Sequence, residues 1–348
     1  MTNLTFRRFS FILIFVSPLL AGSLSVVMVG DVMMGSTYPN SNLPPDSGKE
    51  LFLNIDSIIK DAHLSLGNLE GTLLTGGICT KKVQQGRTYA FRTPPNFAQY
   101  LADAGFDFMN LANNHMNDFG PGGIESTIES LEGVGIQSGG PHGKIGKFEI
   151  DSITIAIVCF ATSPGTNTIF QTKEAQKIVA EQARQYDIVI VSFHGGKEGL
   201  GALHTKDTME YFLGSPRGNV VSFSRAVIDS GADLVWGHGP HVPRALEIYK
   251  DRLIAYSCGN FCTWGFNISG ELGYAPILQV VLDSTGNFKH GKIISAIQNP
   301  FLEIDIQYSA AQLIKKLSHE DFPNSSPHIT DDWVILLRQN VMEEIKQP

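Results

Sequence analysis

The feature that most constrains this chain is the segment Asp233-Leu234-Val235-Trp236-Gly237-His238-Gly239-Pro240-His241, where an apolar run stops at a glycine and two imidazoles follow. Four other runs end in a similar way. Residues 26–29 lead into Gly30-Asp31, residues 64–66 into Gly67-Asn68-Leu69-Glu70, residues 106–112 into Asn113-Asn114-His115, and residues 188–193 into His194. Short apolar runs bounded by turn residues read as buried strands, and an open α/β sheet presents its chemistry at the carboxyl ends of its strands. Asp, Glu, Asn and His carry the oxygen and nitrogen donors that divalent cations take. Five strand ends bearing such donors predict one metal-centred site, assembled from segments as far apart as Asp31 and His241.

Composition narrows the class. A chain of 348 residues with 43% hydrophobic content can bury a sizeable core in one large domain or two smaller ones. The net charge of −8 comes with no Lys/Arg-rich stripe, which excludes a general nucleic-acid binder. The one basic cluster, Arg7-Arg8, precedes an apolar stretch over residues 9–20 and then Ala21-Gly22-Ser23. This pattern predicts a secretory signal peptide over residues 1–23 and an exported, extracytoplasmic protein. An uncleaved anchor touching the membrane is the alternative. Of the four cysteines, Cys159 sits in an apolar run and reads as a buried small hydrophobe. A disulfide among Cys79, Cys258 and Cys262 is open in an oxidising compartment.

Strand-like runs alternate with helix-period segments over residues 50–62, 96–104, 123–132, 173–186 and 220–230, and a strand-rich end follows. This alternation predicts an α/β core with a second, mixed or antiparallel sheet. Residues 244–256 read as a hairpin turning at Lys250-Asp251. A boundary near residue 262 separates a core of 24–262 from a C-terminal extension of 263–348. That extension is expected to hold a strand pair, a long irregular connection and a helix near 332–346.

Seven segments occur in order: GDVMMG at 30–35, GNLEG at 67–71, FRTPP at 91–95, LANNHMNDFG at 111–120, FHGGKEG at 193–199, GHGPHVPRALEIY at 237–249 and YSCGNF at 256–261. Together they resemble the bacterial CapA family of capsule and poly-γ-glutamate synthesis proteins, within the calcineurin-like metallophosphoesterase superfamily. The resemblance covers about residues 25–262. It implies a four-layer α/β/β/α sandwich with two divalent metal ions, of Mn, Fe or Zn, at the strand C-terminal ends. By that resemblance Asp31 binds the first metal, Glu70 stands where the superfamily has a bridging aspartate, and Asn114 is a ligand. His194 and His238 complete the second metal, His241 returns to the first, and His115 is the acid that protonates a leaving group. One position departs from the superfamily pattern. Met33 stands where an imidazole is expected, and a thioether is a poor ligand for hard or borderline cations.

Other residues have two readings each. Asp118 either orients His115 or caps the following segment, and Asn114 alone could be a helix cap. Arg92 and Arg217 sit in loop-like segments and could bind an anionic substrate through paired donors. Lys197 and Glu198, beside His194, either contact substrate or form a solvated pair. Residues 199–218 form either a lid over the site or a surface insertion. The expected activity is metal-dependent hydrolysis or transfer at a phosphoester or acyl/amide link of an anionic cell-envelope polymer or its precursor. The alternative is a non-catalytic, metal-stabilised accessory subunit working with other capsule or poly-γ-glutamate synthesis subunits. A cytosolic nuclease-like phosphoesterase fits neither the N-terminal segment nor the missing basic patch.

Overall fold

The computed structural model describes residues 22–338 apart from 85, 87 and 267. The expected signal peptide therefore lies almost wholly outside the described residues. Among the described residues, no helix is long and apolar enough to cross a membrane.

Strands Ser23–Met33, Leu64–Leu69, Phe108–Asn110 and Gln137–Gly139 lie side by side in parallel. On the other flank of the first strand, Ile277–Asp283 pairs antiparallel and is followed by Phe288–Ile294, Val334–Leu336 and His328–Ile329. Asn260–Thr263 pairs parallel with the last residues of the first strand, and among the described residues these nine strands make one sheet. In the second sheet, Ile188–His194 runs parallel between Ile153–Ala161 and Leu234–His238, with Arg252–Ala255 parallel beyond. Gly146–Ile150 and Leu246–Tyr249 close its two ends antiparallel.

Alternation along the strands explains why the sheets stack. Successive side chains point to opposite faces. Leu24, Val26 and Met28 therefore join one cluster with Ile155, Ile157, Ile190, Leu234 and Trp236 of the second sheet, while Val27 and Val29 join another. The second cluster takes in Ile59, Leu101, Ala104 and Leu131, from the helices Asp56–Lys60, Ala98–Ala104 and Gly120–Glu132. Val158, Val189, Val191 and Val235 face the other way, against Val179 of Thr172–Ala183 and Phe223 and Val227 of Val220–Ile228. The order is helix, sheet, sheet, helix: a four-layer α/β/β/α sandwich. One hydrogen bond fastens the inner layers together, from the buried Trp236 indole Nε1 to the Val29 carbonyl at 2.9 Å.

The expected hairpin turns at Lys250 and Asp251, whose φ angles of 51° and 59° give the doubly left-handed turn that suits twisted strands. The C-terminal region differs from its sequence reading in two ways. A helix, Ser309–Asp321, occupies what reads as an irregular connection, and it buries Ala311, Ile314 and Leu317 at helical spacing. Where a helix was expected from residue 332, Val334–Leu336 instead forms a strand, pairing with Phe288–Ile294 and burying Ile335. Pairing with a sheet overrides helical periodicity in so short a segment. Residues 339–346 of that expected helix lie outside the described residues. Because Ile277–Asp283 pairs directly with Ser23–Met33, residues after 262 complete the first sheet.

Candidate metal centre and its cavity

Asp31 lies where the first strand changes partners. Up to Met28 the strand pairs with Ile277–Asp283, and from Asp31 it pairs with Asn260–Thr263, with register shifts on either side of Asp31. Such irregularities re-aim a side chain. Gly30 permits the crossing: a Cβ there would stand 2.0 Å from the Gly259 carbonyl oxygen. Glu70 directly follows Leu64–Leu69. His194 and His238 end adjacent parallel strands and are register partners. His241 sits in the loop beyond, with a left-handed φ of 59°, the strained backbone that tends to mark functional loops.

These positions converge. His238 Nδ1 lies 3.5 Å from Asp31 Oδ1, His241 Nδ1 2.9 Å from Asp31 Oδ2, and His194 Nδ1 3.5 Å from Glu70 Oε1. One ligand atom from each of Asp31, Glu70 and His194 falls within 4.8 Å of the others. Asp31, Glu70, His194 and His238 are all buried. Buried polar atoms are normally satisfied, yet Glu70 Oε1, Asn114 Oδ1 and both ring nitrogens of His194 and His238 make no hydrogen bond. Donor atoms gathered at Asp31, Glu70 and His194, with His238 against Asp31 and Asn114 on the wall of the same cavity, are what a divalent cation would satisfy, so the residues fit the expected metals. Asn114 caps nothing, since its side-chain oxygen accepts no bond. Met33 is buried in the cavity wall.

Burial sets the protonation of the cluster. It holds His194 well below the usual imidazole range, reinforced by the Arg217 charge, and brings His238 down to about 4 against the pull of Asp31. Neutral imidazole is the form that binds metal. Burial, together with the charge of Asp31, pushes Glu70 up to about 8. At His241 burial opposes the charge, but the carboxylates of Glu70 and Asp31 hold it up to about 10. Burial would also raise Asp31, yet His241, His238 and the Asn68 amide keep it below the ordinary carboxylate value.

A second group stands beside the first. His115 Nδ1 is 2.8 Å from Asp118 Oδ2, which also accepts the Phe91 backbone N–H at 2.7 Å. Lys81 Nζ approaches Asp118 Oδ1 at 3.0 Å and His115 Nδ1 at 3.2 Å, and it donates to the Asn114 carbonyl at 3.0 Å. The Phe91 ring stacks on the imidazole, centroids 4.2 Å apart. Asp118 thus orients His115, leaving Nε2 as the nitrogen without an assigned partner. Burial pulls His115 down to about 4 despite Asp118, so the ring is neutral near pH 7.

Glu70, Asn114, His115, Arg217 and His241 line one cavity of about 710 Å³. Arg217 is buried there, donating from Nε to the Gly196 carbonyl and pairing Nη2 with Glu198 Oε1 at 3.0 Å. Of its two readings, Glu198 does not form the solvated pair with Lys197: it pairs with Arg217 and lines the cavity. Arg92 lies apart from the lining. Its guanidinium donates to Thr37 and the Gly76 carbonyl and rests over Tyr38 and Phe119. The segment 199–218 folds into a short turn and a hairpin, Glu210–Phe212 with Ser215–Gly218, and Phe212, Leu213 and Ser215 reach the cavity. Fully buried Arg244 anchors it through two bonds to Glu210, at 2.9 and 2.8 Å.

Sequence reasoning missed Lys81 and the asparagine relay. Asn110 and Asn113 both donate to Asn68 Oδ1, and Asn68 Nδ2 donates to Asp31 Oδ1 at 2.8 Å. The available signal was three asparagines within apolar strand ends, which local propensity disfavours. All four cysteines are free, Cys159, Cys258 and Cys262 of them buried.

The family model described as bacterial capsule synthesis protein PGA_cap matches residues 25–263, the span that holds every residue of the cluster. The chain belongs to this family. The chain is 27% identical over 258 residues to the PGA biosynthesis protein CapA of Bacillus subtilis (strain 168), covering 68% of this chain and 63% of that protein. It is 25% identical over 259 residues to the capsule biosynthesis protein CapA of Bacillus anthracis, covering 68% of this chain and 59% of that one. The matches thus span less than two thirds of these PGA_cap relatives. Among solved structures, a 5'-nucleotidase precursor from Thermus thermophilus aligns with a TM-score of 0.47 at 13% identity, over 93% of this chain and 60% of that chain.

Proposed function

We propose that this PGA_cap protein is an exported, metal-dependent cell-envelope enzyme. It would hydrolyse or transfer a phosphoester or acyl/amide link of an anionic polymer or its precursor during capsule or poly-γ-glutamate synthesis. The observation that carries the reading is the convergence of buried, unpartnered donors at Glu70, Asn114, His194 and His238 beside the oriented His115–Asp118 pair. Asp31, Glu70, Asn114, His194, His238 and His241 would hold divalent cations, which when bound supply activation of water and neutralisation of charge on the reacting group. A Glu70 oxygen lies within 4.8 Å of donor atoms of both Asp31 and His194, so Glu70 would hold a cation alongside either. His115 moves a proton at Nε2, with Asp118 fixing the ring through Nδ1 and Lys81 fixing Asp118. Arg217 and Glu198 border the same cavity and orient the substrate.

The test is metal content and turnover of the purified chain on a chromogenic phosphodiester, with and without Mn²⁺. Glu70→Ala should lose metal and turnover together. His115→Ala should keep its metal and fold and lose about 10²–10⁴-fold in rate, the usual contribution of a proton-transfer group. The second reading, a metal-stabilised accessory subunit, is favoured by Met33, which removes an imidazole from the first site. It prevails if His115→Ala leaves polymer synthesis unchanged while Glu70→Ala merely unfolds the domain.

A further inference from the structure

The lining of the cavity divides by chemistry. Away from the metal-ligand cluster its bulkiest side chains are rings and aliphatics, chiefly Tyr89, Phe91, Phe212, Leu213, Phe266 and Leu272. Three of these rings form one packed group. Tyr89 stacks on Phe91 with centroids 6.2 Å apart, and Phe266 meets both edge-on, at 5.2 and 5.7 Å. Phe91 in turn lies on the His115 ring, so the aromatic surface starts at the proton-transfer group and runs outward. Tyr89 is 41% exposed, so the surface is accessible.

The cationic side of the lining is already committed. Among the described residues the lining holds two Lys/Arg side chains, Lys81 and Arg217, and each is 3.0 Å from a protein carboxylate, Asp118 and Glu198 respectively. The remaining polar lining, Gln84, Thr88, Ser215, Asn260 and Thr263, is uncharged, so a long polyanion threaded here would set charge after charge beside rings and aliphatic side chains with no unpaired Lys or Arg among the described lining residues, which is costly. The volume of about 710 Å³ is also far more than one anionic group requires, and it falls in the range of sites that enclose a small organic ligand.

We infer that this cavity is a subsite for an apolar, ring-sized substituent attached to the anionic group handled at the cluster. The substrate is then a small or chain-terminal anionic ester or amide bearing such a substituent, rather than the interior of a long polyanion. The inference rests on the reading of the cluster as a metal-dependent anion site, and the test separates the two.

Phenylphosphonate and methylphosphonate carry the same anion and differ in the ring. Calorimetric titration of the Mn²⁺-loaded full chain with each should show phenylphosphonate bound at least about tenfold more tightly, since a buried ring against aromatic neighbours is worth that much. Tyr89→Ala and Phe266→Ala should bring phenylphosphonate to the methylphosphonate level. Unchanged methylphosphonate affinity in both variants would show that the anion site is intact. Equal affinity of the two phosphonates in the parent chain overturns the subsite while leaving the anion site standing. A ring preference that survives both substitutions overturns it as well. Binding of neither phosphonate overturns the anion site and the subsite together.

Discussion

Glu210→Ala tests whether the 199–218 segment is a fixed wall of the cavity. Arg244 is completely buried, and its guanidinium makes four hydrogen bonds: to the Ala202 carbonyl at 2.6 Å, to the Lys197 carbonyl at 3.1 Å, and to the two Glu210 oxygens. Truncating Glu210 removes two of the four bonds and the only formal countercharge among them. Removing one partner of a buried pair typically costs about 3–5 kcal/mol, because the remaining charge stays desolvated. Guanidinium denaturation should register that loss. Hydrogen exchange should show whether residues 199–218 open before the rest of the domain. Glu210→Gln, which keeps an acceptor but drops the charge, should cost about 1–3 kcal/mol. Replacing both partners by apolar residues, Glu210→Leu with Arg244→Met, should recover most of the stability. An unfolding free energy within about 1 kcal/mol of the parent for Glu210→Ala, with unchanged exchange over the hairpin, would refute the reasoning.

Three further outcomes follow from the same geometry. Trp236→Phe removes the bond to Val29 and leaves a buried carbonyl unsatisfied, so chemical denaturation should show a loss of about 2–3 kcal/mol. Gly239 has φ +108° and an added Cβ would stand 2.9 Å from the Gly195 carbonyl, so Gly239→Ala should displace the loop between His238 and His241 and lower bound metal by elemental analysis. Burial raises the Asp233 carboxyl from 3.8 to about 6, against bonds from Val189 and Arg252. A group raised on folding stabilises fully below its unfolded value and loses that contribution as pH rises through its folded value. Between pH 4 and pH 7 the parent should therefore lose on the order of 3 kcal/mol more than Asp233→Asn, as measured by denaturation across that range.

The donor-bearing strand ends were legible because each follows a run buried on both faces, which leaves no helix-like or half-polar period to confuse them. Asp31, Glu70, His194 and His238 therefore read as strand-end donors before any pairing is known, but nothing local divides them between two sheets, Asp31 and Glu70 with the first and His194 and His238 with the second. The C-terminal strands were harder. Ile277–Asp283 alternates visibly, but nothing local says that it pairs with a strand some 250 residues earlier. Val334–Leu336 is three residues long, too short for its period to be read. Lys81 escaped notice for another reason. Its loop carries no periodicity, and its role comes from contact with His115 and Asp118 more than thirty residues away. Arg92 shows the converse, since a loop arginine beside a motif looks like an anion binder until its donors are traced to Thr37 and Gly76.

The donors come from both halves of the sandwich: Asp31 and Glu70 from the first sheet, His194 and His238 from the second. A cation held among them is therefore a bolt through two plates, and its grip depends on how the plates are aligned. Substitutions deep between the sheets, at Met28 or Ile190, sit three and four residues before a donor on their own strands, yet a slip of a fraction of an ångström there would change the spacing of the donors. Metal affinity would then be a gauge of sheet alignment, and by linkage a bound ion would resist separation of the layers.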